Sequence, residues 1–145
     1  MTDRREAIMV RITELLATLG AETLARNLDE VSDLKLPAII LYDGDEDASD
    51  TMRANGGGGV MYAAPQIVIT LQDVPESVGT TTNGYRARLI SAMCLDEALQ
   101  ELCGTFPTRG IKYMGCTTSL VPGRSSQVSL TAHFNIGYQL TPSQL

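Results

Sequence analysis

A short apolar run that ends abruptly in a cluster of acids constrains the fold more than any other feature of the sequence. Residues 36–42 read LPAIILY, and residues 43–50 read DGDEDASD. An apolar run rich in β-branched residues that ends at an Asp-Gly step predicts a strand buried on both faces that stops at a turn. Pro37 cannot donate a hydrogen bond to a sheet, so it should stand at the beginning of this strand. Such a strand would deliver a dense negative cluster to one edge of the fold.

The acidic run belongs to an uneven distribution of charge along the chain. The formal net charge is −6, from 11 bases and 17 acids, and residues 102–145 hold Arg109, Lys112 and Arg124 against no acid. An acidic body with a basic C-terminal part could give complementary patches between copies of the same protein. The acidic balance argues against recognition of duplex nucleic acid, which needs a basic stripe to neutralise phosphates.

Length and composition predict one globular domain over residues 1–145. A hydrophobic content of 43% with 19% charged residues is typical of an ordered protein. No apolar run approaches the ~18 residues that a membrane span needs, and the N-terminus lacks the apolar core of a signal peptide. We therefore expect a soluble protein made in the cytoplasm. Cys94, Cys103 and Cys116 form no CxxC pair and are expected to be reduced and buried.

Two amphipathic helices are predicted from apolar residues at helical spacing. The first spans about residues 4–19, with Gly20 placed to end it. The second is expected to start at a cap formed by Thr82 or Asn83. Its apolar stripe rotates part-way along, so a kink or a restart is expected near Asp96, which is a good N-cap residue.

Strands and long polar connectors account for the rest of the chain. Residues 21–27 fit either a helix or a short strand. A long loop is predicted over residues 43–59, flexible in the free protein and ordered against a partner, and residues 60–72 then return to the sheet. A second polar stretch, residues 73–83, is longer than a hairpin requires.

The C-terminal third has the clearest pattern in the sequence. Residues 109–119 form one arm of a predicted hairpin, and alternate apolar residues over 128–138 form the other. The predicted fold class is therefore α+β. It has two helices packed on one face of a mostly antiparallel sheet, in the order helix, strands, helix, hairpin, with a long acidic and glycine-rich loop.

No motif of an enzyme active site is recognisable. The glycines at 56–59 are followed by Val60 and Met61 rather than by Lys and Ser or Thr, so they do not form a phosphate-binding loop or a GxGxxG motif. His133, the single histidine, falls on the outer face of a predicted strand, and no GxSxG elbow exists. We expect no catalytic residue and no cofactor.

A metal site is likewise not expected. Asp43, Asp45 and Asp47 alternate as carboxylates do in a calcium loop, but Ala48 and Ala54 occupy the positions of the required Gly and Glu. An α+β domain that binds a metal ion or a small molecule through the acidic loop stays open as an alternative.

Five segments, taken in order, resemble a known family. They are ARN at 25–27, LPAIILYDGDE at 36–46, LDEALQEL at 95–102, IKYMG at 111–115 and FNIGY at 134–138. This layout, over roughly residues 4–140, resembles the tail terminator (tail completion) proteins of long-tailed bacteriophages and related prophage or gene-transfer particles. The resemblance implies a small α/β domain that forms a hexameric ring on a finished tail tube, and it favours a strand for residues 21–27.

The same resemblance implies where the chain would act and with which partners. The ring would stop polymerisation of the tail tube protein, present a docking surface to the head–tail connector or neck protein, and let DNA pass without specific binding. The chain would lie at the head–tail junction of the virion, assembled in the host cytoplasm, without contact to a membrane. A neck or head-closure protein of the same particle is the nearest alternative.

Candidate contact residues follow from charge and position. They are Asp43, Asp45, Glu46, Asp47, Asp50, Arg53, Arg109, Lys112 and Arg124. A cyclic interface joins one patch to a different patch on the neighbour, so the basic C-terminal part is expected to meet a neighbour's acidic side. Such a ring should weaken with salt. A salt-resistant ring would indicate apolar contacts through residues 73–83 or the hairpin tip.

Overall fold

The computed structural model describes residues 3–28, 34–48, 58–104 and 110–142. Three helices and seven strands make up this part of the chain. In order they are α1 (Arg4–Ala17), β1 (Thr23–Arg26), β2 (Ala38–Tyr42), β3 (Glu46–Ala48), β4 (Gly59–Ala63), β5 (Gln66–Asp73), α2 (Val78–Cys94), α3 (Glu97–Cys103), β6 (Gly110–Val121) and β7 (Ser126–Leu140). The fold is α+β, as predicted. None of these helices is long and apolar enough to cross a membrane.

The sheet is built on β7, with which three other strands pair. β4 and β5 lie end to end along one side of β7, and both are antiparallel to it. They share one register, which runs from the pair Gly59 and Leu140 to the pair Asp73 and Ser126. β6 pairs with β7 on the opposite side. β2 continues the sheet beside β5, and β3 lies beside β4. β1 runs parallel to β2, so the sheet is mixed and mostly antiparallel.

One face of the sheet and the inner faces of the helices form the hydrophobic core. The alternation predicted over residues 128–138 is confirmed, because every second side chain of β7 from Val128 to Tyr138 is buried. The inward-facing residues Ile67, Ile69 and Leu71 of β5 join the same cluster as the buried residues of all three helices. The outward-facing residues include His133, as predicted.

The apolar run that ends in the acidic cluster forms a strand buried on both faces, as predicted. From Ala38 to Leu41, each residue of β2 is at most 1% exposed, and Pro37 lies just before the strand. The strand continues to Tyr42, whose hydroxyl donates a 2.9 Å hydrogen bond to Leu28 O. The short strand favoured by the family resemblance is also present, as β1.

The restart predicted near Asp96 is confirmed, and the cap predicted at Thr82 or Asn83 is wrong. α2 ends at Cys94 and α3 begins after Asp96, so the structure has three helices where two were predicted. α2 begins at Val78, which places Thr82 inside the helix rather than at its cap, with its hydroxyl donating to Val78 O. The polar stretch 73–83 is therefore half helix. Its first residue, Asp73, accepts hydrogen bonds from the Val74 backbone and the Thr81 hydroxyl, which orders the turn before α2.

Two strand boundaries also differ from the prediction. The predicted loop over 43–59 contains β3, because residues 46–48 pair with β4. The predicted strand over 60–72 is divided at Ala64-Pro65, opposite Asp43 to Asp45, where the neighbouring strand is also interrupted. Residues 49–57 of the predicted loop lie outside the described residues.

The three cysteines are free thiols. Cys103 is buried, and burial raises the pKa of its thiol to about 11. Cys94 and Cys116 are only partly buried, so the prediction of burial holds fully for one of the three.

Candidate interaction surface

Residues 45–48, which we call the acidic arm, form the outer edge of the sheet next to β4. Glu46, Asp47 and Ala48 are all exposed. Asp47 pairs with Tyr62 and Glu46 pairs with Ala63, so the two carboxylates point to opposite faces of the sheet. The strand conformation therefore spreads the negative charge over an edge instead of gathering it around a single point.

A network of ionic and polar contacts holds the base of the acidic arm. Arg26 donates from Nε and Nη2 to the two carboxylate oxygens of Asp43, at 2.8 and 2.6 Å. The same guanidinium donates to both oxygens of Glu6, at 2.8 and 2.9 Å. Asp43 N donates to Asn27 Oδ1 at 2.9 Å, and Arg5 Nη2 donates to Gly44 O at 2.7 Å. We call these five residues, Arg5, Glu6, Arg26, Asn27 and Asp43, the clamp.

Electrostatics divide the predicted acidic cluster into two parts. Hydrogen bonds from Arg26 hold the pKa of the half-buried Asp43 carboxyl below its usual value, and the same contacts lower the pKa of Glu6. The two carboxylates in turn raise the pKa of Arg26. Asp43 is thus an internal ion-pair partner of Arg26, and its role as a contact residue stays a prediction. The exposed charge is carried by Asp45, Glu46 and Asp47.

The clamp should make stability depend on acid pH through Asp43. Because its folded-state pKa is lowered, Asp43 stabilises the fold above its ordinary pKa of 3.8, and this contribution is lost as pH falls through the lowered value. We expect Asp43→Asn to reduce the free energy of unfolding by about 1 kcal/mol at pH 7. The loss is modest because Arg26 keeps its ion pair with Glu6 and because the side chains of Arg26 and Asp43 are partly solvated.

The measurement is urea unfolding of the wild type, Asp43→Asn and Asp45→Asn between pH 2 and 7. The difference between the wild type and Asp43→Asn should be constant above about pH 5 and should shrink below pH 3.8. Asp45→Asn is the control and should follow the wild type. A pH-independent difference for Asp43→Asn would mean that charge is not the cause.

The second charged surface is the hairpin formed by β6 and β7. Lys112 and Arg124 are both exposed on it, and residues 102–145 contain no acid. Lys112 pairs with Asn135, so it lies on the outer face of the sheet, which Asp47 also shares. The two charged surfaces lie at opposite edges, because β6 flanks β7 on one side and β3 flanks β4 on the other. Among the predicted contact residues that the structure describes, a single chain therefore does not bring the acids and bases together.

Three predicted contact residues, Asp50, Arg53 and Arg109, lie outside the described residues. Sequence reasoning missed the clamp partners Arg5, Glu6 and Arg26. The only signal for them was that Arg26 and Asn27 belong to the segments that carry the family resemblance. Neither residue pattern nor spacing linked them to Asp43.

The described surface offers open clefts. One cleft is lined by residues of α2 and the hairpin, among them Val78, Thr82, Leu120 and Val128, and these are apolar or hydroxyl side chains. Within the described ranges, no group of three or more His, Cys, Asp or Glu side chains is placed to hold a metal ion.

Proteins similar to this chain are found among solved structures. The sequence matches no protein-family model, and no curated protein matches it. A chain in the structure of the virion of a native gene transfer agent particle is similar to this one with 13% sequence identity and a TM-score of 0.43. The overlap covers 93% of this chain and 95% of that chain. A similarity at this level does not establish a shared function.

Proposed function

We propose that this chain is a structural subunit of a ring that caps the tail tube of a long-tailed phage or related particle. In this role the whole chain, residues 1–145, acts as one domain that ends polymerisation of the tube and offers a docking surface to the head–tail connector. It makes and breaks no covalent bond. The proposal starts from the family resemblance of the sequence, and the acidic arm is the structural observation that carries it.

The acidic arm suits a contact surface because it is exposed and yet held in place. Its carboxylates at 45, 46 and 47 have no ion-pair partner among the described residues, while the clamp at its base is anchored on α1 and β1. A surface ordered in advance loses less conformational entropy when a partner binds. Rigid presentation of charge that no described residue pairs is therefore better explained by a partner than by the needs of the fold.

The sign of the charge also suits a channel for DNA. A ring through which a duplex slides must not hold the phosphates, and acidic side chains repel them where basic ones would bind them. In this proposal the acidic arm faces either the lumen or the tube and connector, and DNA passes without specific binding.

The test replaces Asp45, Glu46 and Asp47 together by alanine in the particle-producing strain. We expect the purified variant to unfold like the wild type, because these side chains are exposed, and the yield of infectious or DNA-transferring particles to fall by an order of magnitude or more. Glu76→Ala, Glu97→Ala and Glu101→Ala combined is the matched control, since it removes the same charge from exposed positions elsewhere. Normal particle yields from the arm variant would contradict the proposal.

Electron microscopy of a strain lacking the protein separates the tail terminator from a neck component. Overlong tails are the expected result, because nothing would stop the tube. Finished tails of normal length beside tailless heads would instead place the chain in the neck.

A further inference from the structure

The outer edge of β6 is long and is protected only near its start, by Lys112 and by a register shift between Tyr113 and Cys116. Among the described strands β6 pairs only with β7, so its other edge is open. Residues 113–121 read YMGCTTSLV, with no charge and no proline. Met114, Leu120 and Val121 are 62%, 56% and 60% exposed. Proteins normally guard such edges with charges, prolines or short strands, because an open edge pairs with other chains.

The opposite edge of the sheet has a different character. There β3 is short, carries Glu46 and Asp47, and pairs only with β4 among the described strands. Two copies of β3 would repel one another, and so would two copies of the hairpin, whose described charges are Lys112 and Arg124. The acidic edge at β3 therefore attracts the basic hairpin edge of another copy, whereas two copies of the same edge repel one another.

We propose that the outer edge of β6 pairs with β3 of a second copy of this chain, so that the sheet continues from subunit to subunit. This interface rests on the proposed ring and specifies how the ring closes. Pairing of opposite edges is heterologous and can continue around a circle, whereas β6 against β6 would stop at a two-fold dimer.

The faces of the sheet agree with this arrangement. Lys112 lies on the outer face, opposite Asn135, and Asp47 lies on the same face, opposite Tyr62. A sheet that continues across copies keeps its faces, so the basic side chain of one copy and the acidic side chain of the next come to one side. Backbone hydrogen bonds would supply affinity, and the charges would select the partner edge.

Charge reversal tests the pairing through two self-repelling variants. The arm variant combines Glu46→Lys with Asp47→Lys, and the hairpin variant combines Lys112→Glu with Arg124→Glu. In the arm variant both edges are basic, and in the hairpin variant both are acidic. Each variant alone should need a protein concentration at least tenfold higher than the wild type to assemble. Assembly is measured by native mass spectrometry and light scattering, with and without tail tubes.

Mixing the two variants at equal concentration should restore assembly. Every interface is then complementary when the chains alternate, so the mixture should form only rings with an even number of subunits. The four substitutions combined in one chain should also assemble. Misfolding cannot be rescued in this way, and recovery therefore separates the interface from a folding defect.

A second pair of variants tests the open edge itself. Met114→Lys with Leu120→Lys places charges on β6 and should prevent assembly. Val10→Lys with Leu95→Lys is the matched control, because these residues are also exposed and apolar but lie outside β6, Val10 in α1 and Leu95 at the C-cap of α2. The control should assemble like the wild type.

The outcomes distinguish the interface from the proposed function. A wild-type protein that stays monomeric even with tail tubes overturns the ring, and the interface with it. A wild-type ring that persists in both self-repelling variants and in the β6 variant overturns the β6–β3 pairing alone. Dimers as the only product of the mixture would indicate pairing of β6 with β6 and would also overturn the proposal.

Discussion

Replacing Gly44 by alanine should destabilise the protein by about 3 kcal/mol, a large effect for one methyl group. Gly44 has a φ of +71°, which residues other than glycine rarely adopt. A Cβ at this position would overlap Ala64 O and would lie 2.9 Å from the Ala64 carbonyl carbon. Both obstacles are backbone atoms, so no rotation of a side chain relieves the contact. The substitution must displace either the acidic arm or the start of β5.

Gly84→Ala is the matched control for this prediction. Gly84 lies inside α2, and a Cβ there meets no atom within 4 Å. Alanine should stabilise the helix by about 0.5–1 kcal/mol. Chemical denaturation of both variants at pH 7 gives the two free energies directly. Equal effects of the two substitutions would show that the close approach at Ala64 does not constrain the arm.

Asp96→Ala should cost about 2 kcal/mol of unfolding free energy, because one carboxylate performs two functions. Its Oδ2 accepts a hydrogen bond of 2.8 Å from the Leu99 backbone, which caps α3. The same carboxylate accepts from Nε and Nη2 of Arg11 on α1, at 2.9 and 2.7 Å. These contacts, with Arg11 the main cause, keep the pKa of Asp96 below its ordinary value. Removing the side chain therefore leaves α3 uncapped and without its ion pair to α1, while the hydrogen bond from Arg4 Nη1 to Leu102 O remains.

Asp96→Asn separates the two functions of this residue. Asparagine is as good an N-cap as aspartate but carries no charge, so about half of the loss should remain. Thermal and urea unfolding of both variants measure the difference. If the asparagine variant were as unstable as the alanine variant, the cap would contribute nothing. A loss below about 0.5 kcal/mol for alanine would contradict the coupling of α1 and α3.

Local periodicity was sufficient for the main elements. The alternation over 128–138 predicted β7, and the apolar run before the acids predicted β2. In each case the pattern of apolar residues along the sequence matches which strand positions are buried. The restart at Asp96 was predicted for the same reason, since a capping residue acts on backbone atoms within its own turn.

Contacts between distant parts of the chain were not predicted. β3 is too short and too polar to show a strand pattern, and it exists because its residues pair with β4 across the long loop. The clamp joins Arg26 to residues 17 and 20 positions away. No spacing rule connects such residues, because their proximity results from the parallel pairing of β1 with β2 and from the position of α1 over the sheet.

The residues alone established an acidic cluster after a buried strand, a C-terminal third without acids and the absence of any recognisable catalytic motif, since composition and local pattern are properties of the chain. The folded structure decided which charges are available. It pairs Asp43 with Arg26, exposes Glu46 and Asp47 on one edge and, among the described strands, leaves the outer edge of β6 unpaired on the other. Whether a charge is free or paired depends on its three-dimensional neighbours, and these are set by sheet register rather than by sequence position.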